Sequence, residues 1–146
     1  MRYITLDEVK ASVPADVLAR LTDDDPSHSI TEKVIDEGKI QTAILWAEAY
    51  VDAALSKRYI VPIDLEHLTS DAARDLVKEA CLEMTVYRLY SRVEQEAVAK
   101  DKLALVEKTL SDLSSGRIEL AGAEERALAR IRYKAPKPRF STNNSD

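Results

Sequence analysis

The chain has 146 residues, of which 45% are apolar, 32% charged and only 5% aromatic, with 3 Gly and 5 Pro. That is enough for one domain with a real core, and so few turn formers and aromatics argue against a strand-rich sandwich or barrel. Net charge is −5, and one cysteine (Cys81) with two histidines rules out an internal disulfide and a Cys/His zinc cage.

From the N-terminus, MRYITLDEVK lacks an apolar signal segment. Thr5 and Glu8 form a capping box ahead of Leu6, Val9 and Val13, predicting a short helix to about Val13. Pro14 fits the first turn of a second short helix carrying Val17, Leu18 and Leu21. Residues 22–29 (TDDDPSHS) read as a solvated acidic turn, because Pro26 breaks the spacing a calcium loop needs. Ser29 and Glu32 form a second capping box, predicting a long helical stretch to about Ser56, with Gly38 marking a bend.

From Ile40 to Leu55, 12 of 16 residues are apolar, and Gln41, Glu48 and Asp52 fall near one narrow stripe. Such a helix must be covered on most sides, so it is either central or meets another subunit. Trp46 and Tyr50 share a face, as core or as interface anchors. Residues 57–69 (KRYIVPIDLEHLT) break the helical pattern. Pro62 pushes Val61 towards an extended conformation, and the segment reads as a docked connection.

Thr69 or Ser70 caps a helix to about Arg92. Its inner face carries Ala73, Leu76, Val77, Ala80, Met84, Tyr87 and Tyr90, and Asp71, Asp75, Glu79 and Glu83 line one strip at four-residue spacing. Like charges at that spacing repel by a few tenths of a kcal/mol per pair, so the strip reads as a solvated face or a docking surface for a basic partner. A last strong helix runs from about Glu94 to Ser115, with a seam of Leu103, Val106, Leu110 and Leu113 and Gly116 at its end. Ile118 and Leu120 suggest a short extended piece, and residues 123–132 a weak helix.

The charge is divided along the chain. Residues 1–125 hold 15 basic and 25 acidic side chains, net −10, whereas residues 126–146 hold 6 basic and 1 acidic, net +5. The basic groups of the tail are Arg126, Arg130, Arg132, Lys134, Lys137 and Arg139. An acidic body with a basic tail suggests a negative partner for the tail: a neighbouring copy of the body or nucleic acid. The plainer alternative is a solvated tail.

Chemical motifs are missing. No P-loop, GxGxxG, GxSxG or HExxH occurs. Cys81 lies on a helix beside Ala80 and Leu82 and reads as a small buried hydrophobe. His28 and His67 have no nucleophile near them in sequence. Arg88 and Arg92, one turn apart, could grip an anion, but a helix-end pair favoured by the dipole is the simpler reading. No enzyme activity, metal or cofactor is therefore expected, and no apolar run reaches the ~20 residues of a membrane span.

The stretch Ala47-Glu-Ala-Tyr-Val-Asp-Ala-Ala-Leu55, followed by Arg58-Tyr59-x-x-Pro62, resembles the centre of the Mu-like prophage virion protein family, encoded among head and tail genes. Further matches keep the same order: Tyr3-Ile-Thr-Leu-Asp-Glu-Val9, Tyr87-Arg-Leu-Tyr90, then Leu110 to Gly116 followed by Ile118 and Leu120. Arg139-Phe140-Ser141 resembles the start of the family's closing motif, from which the chain departs as Thr-Asn-Asn-Ser-Asp. Members are similar to the head–tail connector (adaptor or head-completion) proteins of tailed phages.

The resemblance implies an all-helical protein that forms a homo-oligomeric ring under the portal. DNA would pass through its channel without sequence-specific binding, and portal and tail-completion proteins would be its partners. It would work in the host cytoplasm during assembly and in the virion neck thereafter, with no membrane contact.

The expected architecture is a small all-α bundle of two long central helices joined by an extended connection. Residues 1–120 would be the connector-like domain, and residues 121–146 a mobile basic arm ordered on assembly. Arg58, Tyr59 and Pro62 would fix the connection. Trp46 and Tyr50 would anchor an interface, and Asp71, Asp75, Glu79 and Glu83 would line the channel or receive a neighbour's arm through Arg130, Arg132, Lys134, Lys137 and Arg139. The alternative is a small helical DNA-binding or regulatory protein using the basic tail.

Overall fold

Helices form where caps and apolar spacing agree. The computed structural model describes residues 2–126. These fold as α1 (Leu6–Ser12), α2 (Ala15–Thr22), α3 (Glu37–Leu55), α4 (Asp71–Ser91) and α5 (Glu96–Ser115), with a single 3₁₀ turn at Leu65–His67. The fold is all-α. Both halves of the expected capping box hold α1, through Thr5 and Glu8. Ser70 caps α4, and Gly116 ends α5 in the left-handed conformation at φ 82°.

The two long helices α3 and α4 pack side by side, and α5 lies on α4 and reaches α3. Small residues on the facing surfaces, Ala43 and Ala47 on α3 and Ala73 and Ala80 on α4, are buried within this packing. Ile40, Ile44, Val51 and Leu55 of α3 join Val77, Met84 and Leu89 of α4 and Val106, Leu110 and Leu113 of α5 in one core. Leu18 and Leu21 of α2 and Val9 of α1 extend it.

Three expectations are corrected. First, Ser29 does not start a helix, and α3 begins at Glu37. The Ser29–Glu32 pair closes an isolated turn, with the Glu32 N–H donating to the Ser29 carbonyl at 2.9 Å. The Ser29 hydroxyl faces Thr31 instead of capping. Helix cannot propagate from there, because side chains further back take the next backbone donors. Asp23 accepts from the Val34 N–H at 2.9 Å, and Thr22 accepts from the Asp36 N–H at 2.9 Å. Asp36 then caps α3, so Gly38 sits in its first turn and marks no bend.

Second, Ile118 and Leu120 form no strand; Leu120 is buried and its carbonyl closes a turn to Ala123. Third, residues 123–126 are not helical. They run antiparallel to the connection, with Glu125 opposite Tyr59. Residues 121–126, assigned from sequence to the arm, thus lie against the domain. The rest of the arm, with Arg130, Arg132, Lys134, Lys137 and Arg139, lies outside the described residues.

The connection between α3 and α4 is docked from two sides. The Ile60 N–H donates to the Glu124 carbonyl at 2.8 Å, and the Arg126 N–H donates to the Arg58 carbonyl at 2.9 Å. The Tyr59 hydroxyl accepts from the Leu120 N–H at 3.2 Å. On the other side the Tyr3 hydroxyl accepts from the Ile63 N–H at 2.9 Å. Gly122, at φ 95°, backs directly onto the His67 carbonyl, where a Cβ would stand 2.1 Å from that oxygen. Only glycine fits there.

Candidate assembly interface

The α4 strip is presented outward. Asp71, Asp75 and Glu79 are exposed, whereas Glu83 is half-buried. Asp71 pairs with Arg74, which is itself tied back to the Leu65 and Leu68 carbonyls. Glu83 leans towards α5, 3.3 Å from the Lys102 ammonium. Beside Glu79 and Glu83, the α4–α5 junction forms a shallow apolar groove with Leu76, Leu105 and Val106. Leu105 is one of the most exposed large apolar residues, at 66%.

α3 is central but incompletely covered. Leu45 is 57% exposed and Tyr50 36%, and Ala49 and Ala53 are exposed between their turns. Trp46 and Tyr50 pack with ring centroids 5.6 Å apart. The Arg88 guanidinium lies 4.8 Å over the Trp46 ring, a cation–π contact worth about 0.5–1 kcal/mol at such a site. The Tyr50 hydroxyl donates to Glu107 at 3.4 Å. Arg88, Trp46, Tyr50 and Glu107 therefore bridge α4, α3 and α5 in one row. Burial, then the Glu107 charge, raises the Tyr50 pKa. Trp46 itself is half-buried.

The Arg58-Tyr59-x-x-Pro62 element turns inward. Tyr59 is 1% exposed, so its ring is core and cannot reach a second subunit. Fixing the connection, the task expected of this motif, is what its contacts do. Arg58 lies over Gly116, where a Cβ would collide with the guanidinium, and donates to Glu125 at 2.9 Å. Pro62 is exposed behind a cis Val61–Pro62 bond.

Sequence reasoning missed a buried polar hub. Glu48 of α3 is 1% exposed. Its Oε1 accepts from the backbone N–H groups of Arg2 at 2.5 Å and Tyr3 at 3.0 Å. Asp52, one turn on, accepts from the Tyr3 hydroxyl and pairs with Arg2 at 2.7 Å. Burial, reinforced by the hydrogen bond to Asp52, raises the Tyr3 pKa. Two carboxylates on an otherwise apolar helix were the available signal; their partners stand more than forty residues away in sequence. Cys81 is fully buried, and burial first, then the Glu48 and Asp52 charges, pushes its thiol up to about 12. It stays protonated and inert.

The acidic turn is also structured. Asp24 binds Lys39 and Arg92, and Lys39 foremost holds its carboxyl below the usual range. Arg92 additionally donates to the Leu21 carbonyl at 2.6 Å. Arg88 and Arg92 therefore separate, one to Trp46 and the other to the end of α2, and form no joint anion grip.

A family model described as bacteriophage Mu, Gp36 matches residues 3–133. The chain belongs to the bacteriophage Mu Gp36 family. No curated protein sequence matches it. Membership makes it a Mu-type phage protein of the structural, virion kind. The matched span begins at Tyr3 in the buried hub and passes beyond Arg126, so this Gp36-family chain carries both fastenings of the connection within its family region. Among the described residues no helix is long and apolar enough to cross a membrane.

Proposed function

We propose that this Gp36-family chain is a non-catalytic subunit of the virion neck, a head–tail connector assembling into a ring beneath the portal. The observation that carries this reading is the exposed row Asp71, Asp75 and Glu79 on a body of net −10, in a chain whose tail is net +5. Opposite charges at two ends of one chain suit a head-to-tail contact, the kind that closes into a ring. The uncovered apolar side chains Leu45, Tyr50 and Leu105 supply surface for neighbours. An acidic wall also lets DNA slide, because phosphate capture requires basic contacts. Portal and tail-completion proteins are the partners in this reading. The chain acts in the host cytoplasm during assembly and in the neck of the finished particle.

A DNA-binding role through the tail is less well supported. The body's prominent basic groups are engaged within the fold: Arg74 with Asp71, Arg92 and Lys39 with Asp24, Lys78 with Glu8, and Arg2 with Asp52. Quantitative mass spectrometry of purified particles tests the proposal. A low, fixed copy number relative to the major head protein is expected. Absence from finished particles, with abundance in the lysate, would overturn it.

A further inference from the structure

From Thr42 to Ala53, α3 turns a face without charge towards solvent. Thr42, Leu45, Ala49 and Ala53 lie along it, all exposed, with Trp46 and Tyr50 at one edge. The solvent side of a surface helix normally carries polar and charged groups. Among the described residues nothing covers this face. On α4 and α5 a second apolar surface lies open. The groove between them runs in two halves of about 190 Å³ each, divided by the Glu83–Lys102 pair. Leu105 lines one half and Val98 the other, both exposed.

We propose that the α3 face of one copy docks in the α4–α5 groove of a second copy, with Leu105 and Val98 set against Ala49 and Ala53. The inference rests on the ring reading and names the contact between neighbouring bodies.

Four observations carry it. The first is placement. At about 100° per residue, Leu105 and Glu107 stand about 160° apart around α5. Leu105 lines the groove with α4, whereas Glu107 meets Tyr50 on α3. By the same geometry Glu79 and Arg88 stand about 180° apart around α4. Glu79 lines the groove, whereas Arg88 lies over Trp46. The two surfaces thus point to opposite sides, and one copy can hold a neighbour at each. A contact between unlike faces repeats from copy to copy and closes when the rotation allows.

The second is length. Trp46 to Lys57 on α3 and Val98 to Thr109 on α5 are both three turns of helix, ~16 Å. The face and the groove therefore match end to end.

The third is shape. Ala49 and Ala53 leave a shallow, small-residue track on α3, and Leu105 and Val98 project from α5 at seven-residue spacing. Large side chains of one helix seat over small ones of another in close helix packing.

The fourth is charge. Arg88 and Lys57 stand at the two ends of the α3 face, and neither has an ion-pair partner among the described residues. Asp75 and Glu79, on the α4 wall of the groove, have none among them either. The groups of opposite sign are already engaged: Glu107 accepts from Tyr50, and Lys102 pairs with Glu83. Docking brings the two cations to the acidic wall.

Two measurements on the full chain decide it. The first mixes a chain carrying Ala49→Cys with one carrying Leu105→Cys in a glutathione buffer, with Cys81 buried and out of reach. Their mixed disulfide is expected to form at least about tenfold faster than that between Ala49→Cys and Thr31→Cys chains, through a higher effective concentration. Equal rates would overturn the proposal. So would a faster bond between two Ala49→Cys chains or two Leu105→Cys chains, which would show like faces pairing.

The second is sedimentation over a concentration series. The unaltered chain is expected to self-associate below ~1 mM. Leu45→Asp and Leu105→Asp are each expected to weaken association at least about tenfold with the urea midpoint unchanged. A monomer throughout, or variants that associate as well as the unaltered chain, would overturn the contact. Neither measurement uses phage particles, so the two readings fail separately. A fixed low copy number in particles without the 49–105 bond keeps the neck role and overturns this contact. The bond in a protein absent from particles keeps the contact and overturns the neck role.

Discussion

Glu48 and Asp52 on α3 and the Asp71, Asp75, Glu79 and Glu83 row on α4 have the same four-residue spacing but opposite surroundings. Of the α3 pair, Glu48 lies among Ala47, Val51 and Leu55 in the core and Asp52 is half-buried one turn on; together they hold the N-terminal Arg2 and Tyr3. Most of the α4 row faces water, and only its last member reaches a cation on another helix. Spacing sets which residues share a face; the apolar content around them decides whether that face is buried. A carboxylate inside the fold must find donors, because an unpaired buried charge is costly. The α4 row is under no such requirement, which leaves it available to a partner.

This contrast can be broken most directly at Glu48. Glu48→Ala removes the acceptor of two backbone N–H groups and is expected to lower the unfolding free energy by about 3 kcal/mol in urea titration. A loss below about 0.5 kcal/mol would mean that Glu48 is solvated like the α4 row. Tyr3→Phe deletes the hydroxyl between Asp52 and the Ile63 N–H and is expected to cost about 1–2 kcal/mol. An unchanged midpoint would detach the hub from the connection.

At the other row, Glu79→Ala is expected to change stability by no more than a few tenths of a kcal/mol, towards greater stability, since it relieves repulsion from Asp75 and Glu83. That gain should vanish in high salt, and a clear loss would show the row to be structural.

The smallest expected effect lies at His28. Its hydrogen bond to Asp23 raises its pKa above the usual 6.5. The contribution is therefore complete below about pH 6.5 and is lost as pH rises through the higher folded value. His28→Ala should abolish that decline in the urea midpoint and leave acid behaviour otherwise similar; an unchanged decline would assign it to another group.

Local signals were legible and nonlocal ones were not. The Thr5 box, the Ser70 cap and Gly116 each act within a few residues, so sequence places α1, α4 and the end of α5 correctly. Ser29 and Glu32 carry the same signature and mislead. Thr22 and Asp23 hydrogen-bond the backbone that a helix there would need, and nothing in the local pattern announces that competition. The site shows the same division. The α4 strip is periodic and readable. The burial of Glu48 depends on Tyr3, 45 positions away, and the docking of Tyr59 depends on Leu120, 61 positions away.

The two-sided docking of the connection has a consequence for synthesis. Tyr3 leaves the ribosome before the segment it holds, whereas Leu120 to Arg126 are translated after α3, α4 and α5 are already made. A nascent chain can thus assemble its central helices while this side of the seam stands open, until Leu120 to Arg126 emerge and seal it. A polypeptide released before residue 120 would leave the Tyr59 hydroxyl and the Ile60 N–H without these partners, a local opening of the kind that host proteases can reach in an unfinished subunit.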